Sequence, residues 1–135
     1  MQFTPALLAE ALITVHDVTS GNVQRLQPML SLYRALFPDY LYYLPYLQEL
    51  AYRPATADQR FVEHQWFIEV GGQAAGLINF TYVPARDCGL LMELGVHPSF
   101  RTAQVGTYAR LSEFMIVSAV AQLRADAELQ GRPTP

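Results

Sequence analysis

The sequence predicts one α/β domain of the α+β kind over residues 1–135, with a mostly antiparallel sheet and the order strand, helix, helix, three-strand meander, helix. Three observations lead there. A chain of 135 residues is long enough for one real core but not for two, and 51% hydrophobic against 16% charged residues is far from a disordered composition. Trp66, Ile68 and Val70 alternate with Gln65, Phe67 and Glu69 ahead of Gly71-Gly72, a pair suited to a tight hairpin turn. The stretch "ELGVHPSFRTAQVGTYARL", residues 93–111, changes from strand-like to helix-like order within a few residues.

Each element has its own local reason. Residues 12–19 alternate weakly and are β-branched, which suits a first strand, and Ser20-Gly21-Asn22 then offers a turn. Leu26, Leu30, Tyr33 and Phe37 fall at helical spacing, with Pro28 in the first turns and Pro38 beyond the end. A second helix is expected around 43–52, with Pro45 in its first turn and Arg53-Pro54 at its exit, followed by a loop over 55–63. The meander then runs through 66–70, 75–83 and 89–96, turning at Gly71-Gly72 and at 84–87. The last helix is expected over 105–127. It is apolar over most of its circumference, with a wet row of Ser118, Gln122 and Asp126 and a wet pair of Arg110 and Glu113; Gly131 and Pro133 are stop signals.

Composition limits the partners. Nine basic residues, all arginine, stand scattered against twelve acidic ones, so a net charge of -3 gives no basic field for nucleic acid. Such an apolar chain is expected to cover part of its surface with a partner. Cys88 is the single cysteine, so no internal disulfide forms, and beside Asp87 and Gly89 it reads as a small inert hydrophobe. Residues 1–12 contain Glu10 and no basic segment, unlike a secretory signal, and no apolar run approaches the ~20 residues of a membrane span. The expectation is a cytoplasmic protein that touches no membrane.

The strand-to-helix turn is where chemistry is expected. If the N–H groups of residues 103–107 open a helix, their unpaired donors and the positive end of the helix dipole suit an anion. The order of elements, together with "GVHPSFRTAQVGTYARL", resembles the GNAT superfamily of acetyl-CoA-dependent N-acyltransferases. In that family the strand before the turn ends in an apolar-x-Pro segment followed by an [Arg/Gln]-x-x-Gly-x-[Gly/Ala] loop, matched here by Val96, Pro98, Arg101, Gln104 and Gly106, with Leu111 as the helix leucine. The resemblance covers residues 12–127.

The resemblance implies an acyl-CoA N-acyltransferase: a small-molecule or peptide amine as acceptor and acetyl-CoA as cosubstrate, without a metal. Backbone groups of Leu94 and Val96 would pair with the pantetheine arm, and the N–H groups around Ala103, Gln104, Val105, Gly106 and Thr107 would cradle the pyrophosphate, with Arg101 adding a charge-assisted contact. Gln104 departs from the pattern by replacing a glycine, which predicts a strained loop if that position needs positive φ. The family continues with further strands and a helix beyond this point, so the chain is expected to be an incomplete form of the fold, and no tyrosine follows Tyr108 to protonate a leaving thiolate.

Acyl transfer needs a neutral amine, so a carboxylate base is expected, and Glu93 on the strand leading to the turn is the candidate; a solvent-facing strand glutamate is the alternative. His97 before Pro98 suits an exposed turn residue, and His16 and His64 stand isolated, with no spacing that suggests a metal site. Tyr40, Tyr42, Tyr43 and Tyr46 lie where the resemblance implies that the acceptor binds, although a core or partner-facing stripe explains them as well. A truncated or degenerate domain with a binding or subunit role is the other function open to the sequence. The strand at 89–96 is expected at the sheet's edge, and with the apolar last helix it predicts a homodimer through 90–96 or 114–121.

Overall fold

Strong alternation between residues 62 and 83 builds the centre of the molecule. A computed structural model describes residues 7–54 and 60–130. In chain order the elements are β1 (Leu7–Leu8), β2 (Ile13–Asp17), α1 (Leu26–Leu36), α2 (Leu44–Tyr52), β3 (Val62–Val70), β4 (Gln73–Val83), β5 (Cys88–Val96), β6 (Gln104–Val105) and α3 (Leu111–Leu129). Strands β2, β3, β4 and β5 form one antiparallel sheet in that order, and β1 pairs with β6 in a separate parallel ladder. The protein is therefore α+β, with a four-stranded antiparallel sheet between helices.

The β3–β4 hairpin turns on Gly71 at φ 56° and Gly72 at φ 82°, the paired left-handed conformation that glycine adopts without a Cβ clash. Val15 faces Ile68, Phe67 faces Leu77, and Ile78 faces Leu94 across the sheet. Alternate residues therefore feed two cores. Phe67, Leu77 and Val18 meet Leu26, Met29, Leu30 and Tyr33 of α1 and Leu47 of α2 on one face. On the other face Trp66, Ile68, Ile78 and Phe80 meet Leu111, Met115 and Ala119 of α3. At roughly 25 cal/mol per Å² of apolar area, these two layers supply most of the folding free energy.

Glycine permits close packing at one further point. Gly95 on β5 lies opposite Leu77, and a Cβ there would meet Leu36 Cδ1 at 2.8 Å and Phe37 at 3.1 Å. Gly95→Ala is expected to push α1 from the sheet and cost about 1–2 kcal/mol, read as a lower midpoint in urea.

Three expectations are corrected. The last helix begins at Leu111 and not at 105. Gln104 and Val105 are extended and paired with Leu7 and Leu8, and Gly106 at φ 53° then reverses the chain into a tight turn between Val105 and Tyr108. Asp126 is not wet: it is 3% exposed and faces the sheet, while Ile116, Val117 and Val120 of the same helix are exposed. The loop after α2 is shorter than 55–63, because β3 begins at Val62; residues 55–59 and the stop signals Gly131 and Pro133 lie outside the described residues. Strand β5 is the sheet edge, with Leu90, Leu91 and Met92 exposed. Among the described residues no helix is long and apolar enough to cross a membrane.

Candidate functional site

Pro38 opens a 3₁₀ turn over Pro38–Tyr43, and Tyr40, with non-helical φ and ψ, kinks it before Pro45 starts α2. This irregular passage sets a cluster of tyrosines over the sheet. Tyr42 and Tyr43 have ring centroids 4.6 Å apart, and Tyr40 and Tyr43 6.4 Å. Beneath them opens a cleft of about 380 Å³, whose walls include Tyr40, Tyr43 and Tyr46 and whose floor includes Asn79, Met92 and Glu93. That volume is in the range of small-molecule sites.

Glu93 reaches this floor through sheet geometry. It pairs across the strands with Asn79, which pairs in turn with Gln65, so the three side chains form one row under α1 and α2. The register shifts at Met92, an extra residue on β5 beside Glu93, and such a bulge re-aims neighbouring side chains. Tyr33 donates its hydroxyl to Glu93 Oε2 at 2.8 Å, and Asn79 Nδ2 donates to Oε1 at 3.3 Å. Burial, reinforced by Glu93, raises the Tyr33 hydroxyl pKa well above the usual range, so this group stays a donor. The row ends at Gln65, which is fully buried and donates from Nε2 to the carbonyls of Val18 and Leu47 at 2.6 and 2.9 Å. Its Oε1 has no donor among the described residues.

The second carboxylate of the cleft is answered. Glu63 accepts from Arg53 Nη1 at 2.8 Å and from the Tyr46 hydroxyl, and Arg53 also holds Glu49 at 3.0 Å. Burial and then Glu63 raise the Tyr46 hydroxyl pKa. Glu93 has no ion-pair partner among the described residues.

The turn after β5 is organised differently from the sequence expectation. Leu94 and Val96 pair with Ile78 and Gly76 and tuck their side chains against the α3 core, which leaves the outer backbone edge of β5 unpaired by any described strand. Ala103 N–H donates to Phe100, Val105 N–H to Tyr108 and Gly106 N–H to Leu8. These donors are spent on the chain itself. A Cβ on Gly106 would lie 2.9 Å from Glu10 Oε1, so a carboxylate already stands where a phosphate was expected. Gln104 is not strained, because positive φ among non-glycine residues occurs at Ser20 and Asp87; it sits in an extended strand with Nε2 3.5 Å from the Gly106 carbonyl. Arg101 donates from Nε to the Val96 carbonyl at 3.0 Å, and Thr107 is exposed. His97 accepts from Ser99 N–H and caps the short turn at Pro98–Phe100.

His64 is the residue whose setting sequence spacing missed. Its Nδ1 lies 2.7 Å from Asp17 on β2 and its Nε2 2.8 Å from Asp126 on α3, while Phe80 stacks on the ring with centroids 4.9 Å apart. Thr19 and Gln122 donate to the other oxygens of the two carboxylates. Burial pulls the imidazole pKa down, but the two carboxylates outweigh it and push the value up to about 9, so both ring nitrogens carry protons at neutral pH. Nor is His16 isolated, since it meets Glu69, which Arg25 also holds. Among the described residues no group of three or more His, Cys, Asp or Glu side chains could hold a metal ion.

No protein-family model matches the chain, and neither any curated protein nor any solved structure does.

Proposed function

We propose that the chain handles a small amine in the manner of an N-acyltransferase of the GNAT type, the amine lying in the tyrosine-lined cleft with its nitrogen toward Glu93. The single observation behind this reading is Glu93 itself, a carboxylate without a counter-charge on the floor of a ligand-sized cleft. An ammonium must lose a proton before its nitrogen is nucleophilic, and Glu93 is placed to receive it, with Tyr33 and Asn79 stabilising the carboxylate. The order of strands and helices before the turn supports the same reading. Acetyl-CoA is the proposed cosubstrate and would supply the acyl group. Residues 103–107 as folded do not fit its pyrophosphate, since the N–H groups of Ala103, Val105 and Gly106 are engaged and Glu10 stands against Gly106.

That observation favours a second reading, a binding or subunit role without catalysis. One variant separates the two. Under the first reading Glu10→Ala removes the competing charge and is expected to raise acetyl-CoA affinity about ten-fold by calorimetry, with free thiol released when mixed amines are added. Unchanged affinity and no thiol release would leave the second reading standing. A homodimer belongs to the same proposal, formed through the exposed Leu90, Leu91 and Met92 of the edge strand or through the outer face of α3.

A further inference from the structure

We infer that the cleft selects organic ammonium ions with a flat apolar body and no anionic group. This rests on reading the cleft as the amine site and goes on to name its chemistry.

Charge decides the polar end. Glu93 is partly buried and meets only neutral donors, Tyr33 and Asn79, so its charge is held in place without being cancelled. A carboxylate in a recess of reduced dielectric attracts a cation more strongly than one on an open surface does. The other charges near the cleft are spent: Glu63 on Arg53, and His64 on Asp17 and Asp126. No basic side chain among the cleft's lining residues is left to pair with a ligand carboxylate or phosphate. An amino acid or a nucleotide would therefore bring its anion against Glu93 unanswered.

The rings decide the body. Tyr40, Tyr43 and Tyr46 offer aromatic faces, which favour both a flat apolar group and a neighbouring cation, while Leu47, Leu50 and Met92 add aliphatic surface. The ligand chemistry that answers all of these is an arylalkyl ammonium.

The test is calorimetry at pH 7 without any coenzyme, using three probes with one carbon body: 2-phenylethylamine, phenylalanine and 2-phenylethanol. The amine is expected to bind, and the other two at least ten-fold more weakly. Equal binding of the alcohol would overturn the inference by showing that charge is irrelevant. Equal or tighter binding of phenylalanine would overturn it by revealing a basic partner, and so would no binding of the amine. Glu93→Gln is expected to weaken 2-phenylethylamine at least ten-fold. Should that variant fail to fold, Tyr43→Leu at a position 44% exposed decides, with an expected loss of about three-fold or more and an unchanged melting temperature; no loss there would overturn the role of the rings. Because acetyl-CoA is absent, selective amine binding without thiol release in a separate assay would sink acyl transfer and leave this inference intact. Thiol release that is as fast with phenylalanine as with the amine would do the reverse.

Discussion

Replacing His64 by alanine is expected to destabilise the protein by about 3–5 kcal/mol, because it strands Asp17 and the almost fully buried Asp126 without their shared counter-charge. The imidazolium joins β2, β3 and α3 at one point, so its loss loosens the end of α3 from the sheet. The wild-type protein should report the same interaction through pH. The imidazole pKa rises from 6.5 to about 9 on folding, so the stabilisation is fully present below about pH 6.5 and is lost as pH climbs through 9. A shift of that size corresponds to at most about 3 kcal/mol. Urea unfolding at about pH 6 and about pH 9.5 should show the decline in wild type and a flat response in His64→Ala. A wild-type protein that gains stability across this window would show that His64 is held neutral and that the clamp is not ionic.

Glu93→Gln is expected to cut amine-dependent thiol release from acetyl-CoA by about 10²–10⁴-fold, the usual contribution of a positioned general base. Glutamine keeps the length of the side chain and can still accept from Tyr33, so the sheet and the tyrosine cluster should persist and the melting temperature should change little. Affinity for acetyl-CoA should stay within about two-fold, since the substitution lies three residues, roughly 10 Å, along β5 from Val96. Retention of the full rate would assign the proton to another acceptor and leave Glu93 a binding residue. The assay is best run on the Glu10→Ala background, where the loop at Gly106 is relieved of its carboxylate neighbour.

Part of the candidate site was legible in the sequence. Glu93 could be singled out as a carboxylate on the strand leading into the turn, where acyl transfer would need a base, and Tyr40, Tyr42, Tyr43 and Tyr46 only because the resemblance implies that the acceptor binds there, with a core or partner-facing stripe as the other explanation. What the strand pattern could not say is which face Glu93 takes. Alternation permits either, and the choice was made by the register with Asn79 on β4 and by the bulge at Met92 on β5, both set by how the two strands pair. The His64 clamp was out of reach for a similar reason. Its partners stand 47 and 62 residues away, with no motif linking them. The only local hint was a polar row on α3, and polar rows on helices usually face water.

By itself the sequence determined the order of β2, α1, α2 and the β3–β4–β5 meander, the hairpin at Gly71-Gly72, and the edge position of β5. These depend on backbone rules and side-chain periods that act within a dozen residues, so local patterns suffice for them. Tertiary structure alone decided that Gln104 is strand and not turn, and Val105 strand and not the first residue of a helix. A single apolar residue such as Val105 suits either, and the pairing of Gln104 and Val105 with Leu7 and Leu8, from the opposite end of the chain, selects the extended form and delays α3 to Leu111. It also decided that α3 turns Asp126 inward and leaves Ile116, Val117 and Val120 outside. A buried imidazolium on β3 makes a carboxylate the better inward residue there, because a charge removed from water needs an opposite charge more than an apolar side chain needs cover.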